Sequence, residues 1–191
     1  MAGGSVLSFN ALVVPEDPAN NGYILKPLIV SLLKACGKPN AKVDVLANPR
    51  AQGYEHAKAL LRGALLERYR HKDLILFLVD ADGKDRSGEF ESLEKEAAGR
   101  GVRLLCCAAQ QEVEIWLLAG HREKLGARWQ EVRAEVSVKE RFFEPFLREH
   151  GNPRAAGGGR EDLMERTLGS CESLLQLCPE LAELAERIRR P

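Results

Sequence analysis

Six consecutive apolar residues, LILFLV at 74–79, run without a polar interruption straight into Asp80. An apolar run of this length bounded by polar turns fits a strand buried on both faces, and such strands belong to parallel sheets covered by helices on each side. The pattern excludes a sheet with one solvated face, and it places a carboxylate at the end of the most buried strand. The flanking chain has the matching rhythm. Apolar stretches within SVLSFNALVV (5–14), at 41–46 and in VRLLCCA (102–108) predict strands one, two and four. Helical spacing is seen in YILKPLIVSLLKAC (23–36), stopped by Gly37 and Pro39, and in 54–70, where Ala57, Leu60, Leu61, Ala64 and Leu65 share one face. EFESLEKEAAGRG gives a third helix, and QQEVEIWLLAGH opens a fourth. The alternation predicts an α/β fold over 1–120, with a mostly parallel central sheet flanked by helices.

Beyond His121 the strand pattern stops. Two amphipathic stretches near 122–149, a glycine-rich NPRAAGGGR and a last helical segment over 161–190 predict a helical C-terminal appendage spanning 121–191. Gly157, Gly158 and Gly159 read as a flexible linker rather than a phosphate cradle, because no strand precedes them and no Lys-Ser/Thr follows. CPELAELAERIRR carries Leu181, Leu184, Ala185 and Ile188 at helical spacing, a stripe that docks on its own domain or offers a dimer surface.

Charge narrows the partners. Lys plus Arg and Asp plus Glu both total 28 in 191 residues, so no chain-wide field attracts DNA or an anionic membrane, and any nucleic acid is held by a local patch. No apolar run reaches the roughly 18–20 residues that span a bilayer, and MAGGSVLSFN lacks a basic stretch leading into an apolar one. A cytoplasmic protein is expected. The five cysteines form no CxxC pair, which suits reduced thiols, and Cys106 and Cys107 sit in an apolar run as small hydrophobes.

In open α/β sheets ligands sit at the carboxyl ends of strands, so acidic residues there are the first candidates for chemistry. Glu16 follows strand one, Asp80 and Asp82 follow the central strand, and Glu112 and Glu114 follow strand four. An unpaired carboxylate at the end of a buried strand is costly to desolvate, and a divalent cation resolves the repulsion between two of them. Mg²⁺ suits such a pair, because it takes one or two carboxylates together with waters and substrate phosphate. Each residue also has a plainer reading: Asp82-Gly83 as a type I′ turn, and Asp17 as the cap of the helix after Glu16. Trp116 reads as packing between helix and sheet rather than a platform for a base.

An acidic residue after strand one combined with DxD after a later central strand resembles the Toprim domain, the metal-binding α/β module of topoisomerases, bacterial primases and the overcoming-lysogenization-defect (OLD) nucleases. The resemblance covers roughly residues 6–120 and rests on Glu16 in LVVPEDPANNGYILKPLI and on Asp80 and Asp82 in LILFLVDADG. It is greatest to small bacterial Toprim-like proteins, in which a segment like AQQEVEIWLLAG follows the DxD unit. It implies Glu16 as a metal-contacting group or general acid/base, and Asp80 and Asp82 as ligands of Mg²⁺ or Mn²⁺. Glu112 or Glu114 would complete a second metal position; residues i and i+2 do not share a helix face, and Glu114 is favoured as the inward one. The family glutamate is usually followed by glycine, whereas Asp17 and Pro18 follow here.

The activity implied is metal-dependent phosphodiester hydrolysis, in phage defence or DNA processing beside a separate ATPase, since this chain holds no Walker A motif. Arg50, Lys84 and Arg86 are the expected nucleic-acid contacts near the site, with Lys139, Arg141, Arg148, Arg154 and Arg160 as further basic groups. Two alternatives stand beside it: a catalytically silent Toprim-like module that binds a protein or nucleic acid, and a receiver-like signalling domain phosphorylated at Asp80. The receiver reading needs a lysine after a later strand and a different acidic pair after strand one, and neither is clear.

Overall fold

The computed structural model describes residues 8–190 and is an α/β protein built on one four-stranded sheet. The strands are β1 (Asn10–Pro15), β2 (Lys42–Val45), β3 (Leu74–Asp80) and β4 (Leu104–Ala109), all parallel in the order β2-β1-β3-β4. Residues 5–7 of the expected first strand lie outside the described residues. Successive side chains of β3 point to opposite faces. Leu74, Leu76 and Leu78 join the core beneath α1 (Pro18–Ala35), while Ile75, Phe77 and Val79 join the core beneath α2 (Tyr54–Leu60) and α4 (Ser87–Gly99). Every residue from Leu74 to Val79 is at most 1% exposed, which is why this strand shows no polar alternation.

One helix departs from its expected start, and the helix expected over 54–70 forms in three connected pieces. α1 begins at Pro18 rather than at Tyr23, because Asp17 caps it through Ala19 N–H (3.0 Å) and Pro18 occupies the first turn, where its missing N–H is harmless. α2 continues through a π-helical turn (Leu61–Leu65) into α3 (Leu66–Arg68).

The chain after β4 is helical: α5 (Glu114–Ala119), α6 (Trp129–Ala134), α7 (Glu144–His150), α8 (Arg160–Thr167), α9 (Cys171–Leu177) and α10 (Pro179–Arg189). These helices join the α1 face of the sheet. Val132, Phe143, Phe146, Leu163, Leu174 and Leu184 are buried in one cluster with Val13, Leu76 and Cys107. The C-terminal region is thus the second half of that face's core, and the α10 stripe of Leu181, Leu184, Ala185 and Ile188 is buried within it.

The glycine-rich segment is not a free linker. Gly157, Gly158 and Gly159 all have positive φ (60°, 66° and 92°), a region where glycine alone is unstrained. A Cβ on Gly157 would stand 2.5 Å from the Tyr23 ring, and one on Gly159 2.5 Å from Asn152 N. The glycines make a tight turn pressed against α1, which composition alone does not separate from a flexible spacer. No helix among the described residues is long and apolar enough to cross a membrane.

Candidate functional site

From β1 the chain crosses to β2 on one side and, through the next crossover, to β3 on the other, so the sheet reverses direction between β1 and β3. That reversal opens a crevice at the carboxyl ends of these two strands, the usual ligand position in open α/β sheets. Glu16 and Asp80 stand there. Glu16 Oε1 accepts the Asp80 N–H at 2.6 Å, so the glutamate is fastened to the end of the neighbouring strand. Glu16 is 9% exposed, and burial pushes its carboxyl above the ordinary range against the help of the Asp80 N–H.

Asp80 receives the Val113 N–H on Oδ1 at 2.8 Å, at the threshold of α5. Its carboxyl is pushed up to about 8, first by burial and then by the charges of Glu16 and Glu114. Glu114, on the first turn of α5, is 1% exposed. Its Oε1 is buried and has no hydrogen-bond partner; Lys139 Nζ approaches to 3.4 Å, near enough for an ion pair but off the axis of a good hydrogen bond. Three carboxylates from three distant chain segments therefore gather at the crevice.

The other two expected acids are less buried and each has a partner of its own. Asp82 (φ 52°) and Gly83 (φ 69°) occupy the middle of a turn closed by Lys84 N–H to Ala81 C=O at 2.9 Å, the signature of a type I′ turn. The Asp82 side chain is half exposed and pairs with Arg86 at 3.3 Å. Glu112, half-buried, caps the Lys139 N–H at 2.8 Å, and burial raises its carboxyl.

The basic residues divide as well. Arg86 is 6% exposed and turned inward: Nε donates to the Asp80 carbonyl at 2.9 Å and the guanidinium stacks 3.6 Å from the Tyr54 ring centroid. It braces the β3 end rather than presenting a surface to phosphate, a correction to its expected role as a nucleic-acid contact. Arg50 and Lys84 remain exposed at the rim, Arg50 with only a loose 4.0 Å approach to Asp17. Lys139 points at the carboxylates and was legible in the sequence only as one of many basic residues.

The loops around the crevice are cross-tied. Ala81 N–H donates to Ala109 C=O and Asp82 N–H to Gln111 C=O, both at 3.1 Å, which locks the loop after β3 to the loop after β4. Gln111 also adopts positive φ (68°), so two non-glycine residues in left-handed conformation face each other at this edge. Such strain gathers where the surroundings over-determine the backbone. A cleft of about 440 Å³ opens beside it, between α4, β4 and α10; Glu91, Glu94, Glu180 and Glu183 on its walls make it a poor track for a phosphate backbone.

The donor set fits a hard divalent cation in kind: buried carboxylate oxygens, mutual repulsion, and the orphaned Glu114 Oε1. Among the described residues no three histidine, cysteine, aspartate or glutamate side chains are grouped closely enough to hold a metal in this conformation. All five cysteines are free, and burial pushes the Cys178 thiol up to about 12, with Cys106 and Cys107 higher still, so these three stay protonated in the free protein. Comparison of the chain with protein-family models, with curated proteins and with solved structures finds no match in any of the three.

Proposed function

We propose that the crevice between β1 and β3 is a Toprim-like carboxylate site that binds Mg²⁺ or Mn²⁺ and hydrolyses phosphodiesters. The observation that carries this reading is the gathering of Glu16, Asp80 and Glu114 at the sheet's reversal point, with Glu114 Oε1 buried and unsatisfied. Ionising Asp80 beside Glu16 and Glu114 is unfavourable in the free protein and becomes favourable when a cation enters. Asp80 and Glu114 would hold the ion, and Asp82 would join on release from Arg86. A bound ion would supply Lewis-acid stabilisation of charge on the phosphate and a lowered pKa for water.

The protein's own groups supply the rest. Glu16 is positioned by the Asp80 N–H, and its raised affinity for protons suits a general base that takes the proton of the attacking water. The water oxygen bonds to phosphorus, the bond from phosphorus to the leaving oxygen breaks, and the leaving oxygen takes a proton from solvent. Lys84 and Arg50 neutralise flanking phosphates from the rim.

The test is cleavage of supercoiled plasmid and of single-stranded DNA and RNA with Mg²⁺ or Mn²⁺, with Asp80→Ala purified in parallel. Cutting that requires the cation and is lost in the variant supports the reading; equal cutting by both proteins contradicts it. A second reading, a silent module that binds nucleic acid or a protein, is favoured by the pairing of Asp82 with Arg86 and by the lack of a preformed three-carboxylate group among the described residues. It predicts binding that survives Asp80→Ala with no cleavage by either protein. Phage defence and an ATPase partner are proposals that follow from the Toprim reading.

A further inference from the structure

Lys139 is the point at which the C-terminal helices reach the carboxylates. It opens the π-helical turn Lys139–Phe143, held by Val138 and Phe143, both fully buried. Its backbone is fixed by the bond from its N–H to Glu112, and its ammonium lies 3.4 Å from the orphaned Glu114 oxygen. The backbone is thus anchored while the charged end makes one loose contact.

Arg86 makes the useful contrast. It also neutralises a carboxylate, Asp82, but its side chain is only 5% exposed and is held by the Asp80 carbonyl and the Tyr54 ring. It lines the cleft between α4, β4 and α10 but is fastened by Asp82, the Asp80 carbonyl and the Tyr54 ring. The Lys139 side chain is 32% exposed, has four flexible methylenes, and makes no well-aligned hydrogen bond with its partner. The Arg86 side chain is held by three partners, whereas the Lys139 side chain has the single ion pair with Glu114.

Resting on the carboxylate-site reading, we propose that Lys139 is a resident counter-ion of Glu114 that a divalent cation displaces on binding. The ammonium neutralises Glu114 while the site is empty of metal. Its release delivers a positive charge to the rim, beside the place where a phosphate oxygen would arrive. Lys139 is then a positioning residue whose location depends on cation occupancy.

The test is amine footprinting of the full chain. Lys139 is acetylated with acetic anhydride and followed by peptide mass spectrometry during a Mn²⁺ titration, with Mn²⁺ binding read by electron paramagnetic resonance and exposed Lys84 as internal reference. Displacement predicts that Lys139 labels about tenfold faster, relative to Lys84, as Mn²⁺ saturates. Glu114→Gln should label fast without any cation. Mn²⁺ binding with unchanged Lys139 labelling overturns the displacement while leaving the carboxylate site standing, as does slow labelling in Glu114→Gln. No Mn²⁺ binding at millimolar concentration overturns the site reading and the displacement with it.

Discussion

Two clusters of partly or fully buried charge lie on this sheet, and they are organised in opposite ways. At the outer edge of β4, Glu94 accepts the Cys106 N–H and pairs with Arg187 at 2.5 Å, while Arg187 donates to the Cys106 carbonyl. Each charge has a partner, and the free groups of an edge strand are covered. At the carboxyl ends of β1 and β3, Glu16 and Glu114 both bear on Asp80, which is pushed up to about 8, and Glu114 Oε1 has only the 3.4 Å ion pair with Lys139 and no aligned hydrogen bond. A satisfied cluster holds structure; a frustrated one is where we propose that a cation completes the set.

Substitutions separate the two. The largest effect expected is on cleavage: Asp80→Ala should lower the metal-dependent rate by about a thousandfold or more, whereas Arg187→Met should leave the rate per folded molecule unchanged in the plasmid assay. Next comes a stability difference of opposite sign. In chelator at pH 7, Asp80→Asn should stabilise the protein by about 2–4 kcal/mol by removing a carboxyl that resists ionisation, read as an increased urea midpoint. Arg187→Met should destabilise it by about 1–3 kcal/mol, because Glu94 loses its partner in a partly exposed setting.

The pH dependence sharpens the same contrast. The Asp80 carboxyl goes from 3.8 in the unfolded chain to about 8 in the fold, so between these values the folded state holds a proton that the unfolded state has lost. Its contribution is therefore most favourable below about pH 4, erodes as pH rises toward 8 and levels off above that. The stability gap between Asp80→Asn and the parent chain, measured by urea titration, should widen across this window. A gap constant with pH would mean that Asp80 is an ordinary carboxylate.

The smallest effect concerns the turn that closes the α1 face. Gly157→Ala should destabilise the protein by about 1–3 kcal/mol through positive φ and the contact with Tyr23, read as a lowered urea midpoint.

These features were unequally legible in the sequence. β3 and its terminal Asp80 were plain, because burial on both faces leaves an uninterrupted apolar run, and parallel strand order follows from alternation with helices. The cap of α1 was legible in Asp17, but PANNG reads as a turn because its residues favour turns; Pro18 sets the first turn and packing of Asn21 and Ile24 outweighs propensity. The glycine turn at 157–159 depends on Tyr23, more than a hundred residues away, so local composition could not reveal it. Among the acids, strand ends marked all five candidates, yet which ones face the crevice depends on the turn at Asp82-Gly83 and on where α5 begins. The inward direction of Arg86 and Lys139 had no signal at all, since a charged residue on a loop is usually solvated.

The most direct measurement is isothermal titration of the metal-free protein with Mn²⁺ beside Asp80→Asn. The account predicts saturable binding to the parent chain that is lost or weakened at least about tenfold in the variant. Equal binding by the two proteins, or none by either, would contradict the claim that the carboxylates between β1 and β3 form a cation site.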